Sequence, residues 1–306
     1  MHKLVDQAVA EVGTVLLGKE QQVRLALCCL IAQGHLLIED LPGMGKTILS
    51  NALARVLGLD YQRVQFTSDL LPADILGVSI FNRQDSSFRF MPGPIFSQLL
   101  LADEINRSTP KTQSALLEAM EEGQVSIEGE TRDLPTPFFV IATQNPSSQA
   151  GTYPLPESQL DRFLMRISLG YPSRDAERKL LLGDDSRQKL PLLKPCVSKD
   201  QLFALQAAVK AIHCSEDLMD YLQRLIAFSR KHNEIACGLS PRGAIALLRC
   251  AKAWALMQGR GHVVPEDIQV VLPAVVEHRL QHAAEYRGDT AGLSQRMLAE
   301  VAVLNA

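Results

Sequence analysis

The sequence predicts an α/β core, a parallel sheet flanked by helices, followed by an all-helical second domain. Three observations carry this. Short apolar runs alternate with helical periodicity up to about residue 170, a glycine-rich turn joins the first run to a helix, and no strand pattern appears afterwards. At 306 residues, 46% hydrophobic and 21% charged, the chain is globular and long enough for two domains. That composition excludes disordered, fibrous and cysteine-stapled classes.

In chain order, residues 6–32 read as helical, with a break at Leu17-Gly18-Lys19 and a strongly apolar stretch over 23–31. Residues 35–39 form a short apolar run, and 46–57 repeat Ile48, Leu49, Ala52, Leu53, Val56 and Leu57 at helical spacing. Further strands are expected at 63–66, 99–102 and 138–143, with a helix over 110–121 between the last two. Two segments interrupt the alternation, 77–94 with VSIF and SFRF, and 124–134 with VSIEGETRDL; both read as β-hairpin inserts with polar tips. A Pro/Gly/Asp-rich stretch, 170–195, then leads to helices at 200–212, 216–232, 241–257, 265–280 and 292–304. The expected domains are 1–185 and 186–306.

The formal net charge is −3, from 31 basic and 34 acidic residues, so the chain lacks the basic excess of a phosphate-backbone binder. Residues 1–185 hold 16 basic against 23 acidic side chains and 186–306 hold 15 against 11, which fits head-to-tail packing of an acidic core on a basic lid. The six cysteines show no CxxC spacing or framework, no apolar run approaches the ~20 residues of a membrane helix, and a cytoplasmic protein is expected. The seven histidines show no HExxH or triad spacing, and Trp254 reads as core.

The strongest local signal is Leu41-Pro42-Gly43-Met44-Gly45-Lys46-Thr47, between a predicted strand and helix. Glycines there let backbone N–H groups close around phosphate oxygens, Lys46 reaches the terminal phosphates, and Thr47 offers a hydroxyl to Mg²⁺. Asp40 stands where the strict pattern has glycine, so its carboxylate must face away from the phosphates. The run Leu99-Leu100-Leu101-Ala102-Asp103-Glu104 delivers two carboxylates at a strand end, Asp103 for the Mg²⁺ sphere and Glu104 to polarise an attacking water. The strand at 138–143 ends in Gln144-Asn145, where Asn145 can hold that water.

With these residues in place, the chain resembles a AAA+ ATPase, and within that class the MoxR family. LIEDLPGMGKT, LLADEINRSTPKTQSALLEAMEE, ATQNP, LPESQLDRF and LSPRGAIAL stand in the family's order over essentially the whole length. The resemblance implies a P-loop NTPase core and helical lid closing into rings, usually hexamers, with ATP or ADP between neighbours. It places Lys46 and Thr47 in Walker A, Asp103 and Glu104 in Walker B, and Asn145 at sensor 1. Gly18, Pro42, Gly43, Met44, Gly45 and Ile48 join Lys46 and Thr47 as candidate nucleotide contacts. Arg162 matches the arginine finger that reaches a neighbour's γ-phosphate, a task suited to a planar, always charged fork. Arg242 matches sensor 2. It follows a plausible cap, Ser240, and Pro241, so it sits at a helix start where a cation is unfavourable without a nearby anion. Arg107 is a weaker candidate for a contact across the interface.

The resemblance implies a chaperone-like ATPase that remodels or matures a protein client, typically with a partner carrying a von Willebrand factor A domain. Alternatives are a magnesium-chelatase-type subunit, a nucleotide-dependent scaffold and an MCM-like nucleic-acid motor. Against the last, 77–94 carries Arg83 and Arg89 with Asp85, and 124–134 is net acidic.

Overall fold

The computed structural model describes residues 1–83, 86–145, 151–183, 186–283 and 292–303. Helices α1 (His2–Gly13) and α2 (Glu20–Ile31) open the chain, burying Val5, Val9 and Val12 on one and Val23, Leu27, Leu30 and Ile31 on the other. Then follow β1 (Leu36–Glu39), α3 (Lys46–Val56), β2 (Tyr61–Gln65), α4 (Pro72–Leu76) and a hairpin, β3 (Gly77–Asn82) with β4 (Ser87–Pro92). Next come β5 (Leu99–Asp103) and α5 (Pro110–Glu122), the helix opened by a proline and closed by Gly123 at φ +66°. The second hairpin pairs β6 (Gln124–Ile127) with β7 (Glu130–Asp133), as expected; β8 (Phe139–Gln144), α6 (Glu157–Leu160) and β9 (Met165–Ile167) complete this part. The first hairpin's tip, residues 84–85, lies outside the described residues.

The sheet runs β2-β5-β8-β1-β9 and every pair is parallel. Its register sets Glu39 beside Gln144, Gln65 beside Asp103 and Ala102 beside Ala142, so the strands end together at one edge, where ligand sites of parallel sheets form. Both faces are covered. Leu36, Ile38, Leu99, Leu101, Phe139 and Ile141 enter one buried cluster, while Leu37, Leu100, Ala102, Val140 and Ala142 enter the other, as alternation along a strand requires.

Beyond β9, α7 (Arg174–Leu181) occupies part of the stretch expected to be a separator, started by Ser173, whose hydroxyl accepts from Ala176 N. The helices α8 (Ser186–Lys189), α9 (Lys199–Ala211) and α10 (Glu216–Lys231) follow, then β10 (Ile235–Cys237), α11 (Pro241–Met257), α12 (Pro265–Val276), β11 (Gln281–His282) and α13 (Leu293–Glu300). Serines 198, 215 and 240 cap α9, α10 and α11 through their side chains. The expectation of no strand after residue 170 is corrected: β10 and β11 pair antiparallel, each too short to show a period. The last helix ends at Glu300 rather than 304, and residue 304 lies outside the described residues, as does the expected domain boundary at 185. Helix α11 packs on α2, α9 and α12, so the cluster on one sheet face continues into the second group of helices.

Candidate functional site

The glycine-rich loop leaves β1 at Glu39 and enters α3 at Lys46. Gly43 and Gly45 hold φ of +86° and +93°, a region open to glycine, which lets the turn close directly onto the helix start. The loop borders a cavity of about 610 Å³ lined by Pro42, Gly43, Gly45, Lys46, Thr47, Ile48, Asn51, Arg63, Gln65, Asp103, Glu104, Asn145 and Leu190. Thr47 is exposed there, whereas Met44 packs partly buried against the apolar core. Gly18 is not among the lining residues; it lies against α7, where an added Cβ would meet the Ala176 Cβ at 3.3 Å.

Lys46 is buried, and its ammonium donates to the Asp40 carbonyl at 2.7 Å and to Asn145 Oδ1 at 3.0 Å. Burial holds its pKa below the ordinary lysine value, against the pull of Asp103, Asp40, Glu104 and Glu39. Asn145 donates from Nδ2 to Glu104 Oε1 at 3.0 Å, so Lys46, Asn145 and Glu104 form one hydrogen-bonded chain. The Asn145 carbonyl is fixed by Asn106 Nδ2 at 3.1 Å.

Asp103 ends the fully buried strand β5. Its Oδ1 accepts from Thr143 Oγ1 at 2.6 Å and its Oδ2 from Arg63 Nε at 3.0 Å and Nη2 at 2.8 Å. Glu104 has φ +57°, an unusual conformation for a side chain of its type, and its N–H donates to Thr143 Oγ1 at 2.8 Å. Its Oε2 accepts from Gln65 Nε2 at 2.9 Å and Arg107 Nη1 at 3.3 Å, so Arg107 serves its own chain's Glu104.

The Asp40 carboxylate faces away from the cavity, as expected. Its Oδ2 accepts from Leu169 N at 2.7 Å, Gly170 N at 2.6 Å and Ser168 Oγ at 3.1 Å, and its Oδ1 from Leu41 N at 2.9 Å.

Arg162 and Arg242 do not line this cavity. Both border a second one of about 460 Å³, and both bind Glu121: Arg162 Nη2 lies 3.1 Å from Oε2 and Arg242 Nη1 lies 3.0 Å from Oε1. Ser240 caps α11 as expected, and the anion near Arg242 within the chain is this carboxylate rather than a phosphate. Asp161 pairs with Arg279, not with its neighbour Arg162. The buried Arg279 side chain also donates to the Phe163 carbonyl at 2.7 Å, so the segment just after α12 clamps the turn presenting Arg162.

Sequence reasoning missed Thr143, Arg63, Gln65 and Arg279. The available signal, period-2 alternation in the strand read at 63–66, places Arg63 and Gln65 on one face but does not say which strand lies beside them. Arg279 carried none, being 118 positions from Asp161.

A family model described as "ATPase family associated with various cellular activities (AAA)" matches residues 35–165, and one described as "AAA lid domain" matches 227–297. Fold and site therefore define a AAA+ ATPase core with its lid. The chain is 46% identical over 280 residues to YeaC of Bacillus subtilis, covering 92% of this chain and 88% of that one. It is 40% identical to Chaperone MoxR1 of Mycobacterium tuberculosis, covering 90% and 75%. A crystal structure of a Cytophaga hutchinsonii protein described as an ATPase matches with TM-score 0.88 and 36% identity, over 99% of this chain and 96% of that one. The chain belongs to the MoxR family of AAA+ ATPases.

Proposed function

We propose that this protein hydrolyses ATP and uses the motion of lid against core, taken as residues 186–306 against 1–185, to remodel a protein client. The observation that carries the reading is the convergence of Lys46, Asn145, Glu104 and Asp103 on one cavity at the carboxyl edge of the sheet. Lys46 binds the terminal phosphates. Glu104 accepts the proton of the attacking water, and Asn145, already between Lys46 and Glu104, orients that water. Thr47 and Asp103 supply the hard oxygen donors that Mg²⁺ prefers, and both line the cavity, so the residues fit the ion. Mg²⁺, when bound, would neutralise charge on the triphosphate.

Because Arg162 and Arg242 border a different cavity, they serve this chemistry by completing a neighbour's site in a ring, a hexamer in our reading. The partner we expect is a von Willebrand factor A domain protein, with the hairpins gripping the client. Nucleic acid is a poor fit: Glu128, Glu130 and Asp133 are exposed on the second hairpin, whose Arg132 is paired with Glu130 and lies over the Phe90 ring at 4.1 Å. A cytoplasmic location is supported by six free cysteines, three of them buried; among the described residues no helix is long and apolar enough to cross a membrane.

The test is ATPase rate together with solution mass, with and without Mg·ATP. Turnover should rise with assembly in wild type and vanish in Glu104→Gln while ATP binding persists. Unchanged hydrolysis in that variant would remove Glu104 from the mechanism.

A further inference from the structure

Asp103 is 9% exposed, and a buried carboxylate requires compensation on both oxygens. Thr143 satisfies Oδ1. At Oδ2 the compensating group is a full cation, the Arg63 guanidinium, which donates twice to that one oxygen. Lys46, the other cation of the cavity, is bonded instead to Asp40 and Asn145. A divalent ion bound by Thr47 and Asp103 must compete for the carboxylate's lone pairs, and the Arg63 guanidinium engages both of those on Oδ2.

Arg63 is also built to leave. Its side chain is 48% exposed, it stands on β2 at the edge of the sheet, and its Nη2 already has a second acceptor, Gln65 Oε1 at 2.9 Å. Withdrawing it would not open the core.

From these contacts we infer that Arg63 is a stand-in cation: it occupies Asp103 until a divalent ion displaces it, so that metal enters with the nucleotide rather than ahead of it. This rests on the reading of Asp103 as a metal ligand. In the chain without nucleotide, Arg63 competes with the ion for one carboxylate oxygen. Arg63 thus positions Asp103 and sets the order of loading, with no direct role in bond breaking.

The experiment is Mn²⁺ binding to the full chain without nucleotide, read from the electron paramagnetic resonance signal of free Mn²⁺. Arg63→Met removes the charge and keeps the bulk, and should bind Mn²⁺ about tenfold tighter than wild type, the scale of one charge-assisted contact. Arg63→Lys, which restores a cation, should return affinity towards wild type. Adding Asp103→Asn to Arg63→Met should abolish the gain, which a merely structural role for Arg63 would not produce. Equal Mn²⁺ affinity in wild type and Arg63→Met overturns the inference. The reading beneath it is tested separately, by the Mg²⁺-dependent gain in ATP affinity: if Asp103→Asn leaves that gain intact, Asp103 is not a metal ligand and both fall. If Asp103→Asn abolishes it and Arg63→Met still leaves Mn²⁺ affinity unchanged, the inference alone falls.

Discussion

Asp40 shows how a residue unfavourable to function is made harmless by its surroundings. Burial alone would raise its carboxyl pKa, but hydrogen bonds from Gly170, Leu41, Ser168 and Leu169 bring it below the usual aspartate value. A folded pKa below the unfolded one stabilises the protein above about pH 4, and that contribution is lost as pH falls through the folded value. Asp40→Asn should therefore cost about 1–3 kcal/mol near pH 7, read from urea unfolding, and lose less than wild type below pH 4. A variant as stable as wild type at pH 7 would show that the carboxylate's charge adds nothing to these bonds. Glu104 is the complementary case, held at φ +57° by Thr143 so that its carboxylate meets Asn145.

Elements are tied together by His35, just before β1. Val140 N, on β8, donates to its Nδ1 at 3.0 Å, which leaves Nε2 as the protonated nitrogen facing the Met120 carbonyl of α5 at 3.1 Å. Desolvation pushes its pKa down to about 4, and His278, just after α12, is lowered by burial in the same direction. The unfolded chain thus takes up these protons first as pH falls, so stability is present above about pH 6.5 and declines towards about pH 4. His35→Gln should flatten, without abolishing, the fall in urea midpoint between pH 7 and pH 5; identical slopes would rule out His35 as a source. The long helices were readable because apolar spacing is a local signal, joined at α11 by the Ser240 cap, whereas α7 fell in the expected separator. The strand β9, three residues long and defined by pairing with β1, was not readable either.

At the scale of the whole molecule, Lys46, Asp103, Glu104 and Asn145 line one cavity while Arg162 and Arg242 line another, and in the ring we propose the two would meet across neighbouring subunits. This predicts complementation. Glu104→Gln and Arg162→Ala should each be inactive alone. Mixed, they should recover ATPase activity, because about a quarter of randomly formed interfaces pair an intact Glu104 with an intact Arg162. Recovery absent despite co-assembly, shown by solution mass, would mean that Arg162 acts elsewhere. Glu121 holds the two arginines together in the single chain, one from the core and one from α11, and these partly exposed pairs contribute at most about 1 kcal/mol, so a phosphate can replace them.

Sequence alone determined the alternating core, the two hairpins, the loop with Lys46 and Thr47, and the pair Asp103 and Glu104, because each is a contiguous pattern whose chemistry is carried by residue type and spacing. Only the tertiary structure decided that Arg63 and Gln65 face the Walker carboxylates, that Thr143 bridges Asp103 and Glu104, that Arg279 clamps the turn of Arg162, and that Arg162 and Arg242 meet on Glu121 away from the phosphate loop. Those contacts join positions tens of residues apart. They are set by the parallel register of the sheet and by the packing of α11 and α12, which no local pattern in the chain encodes.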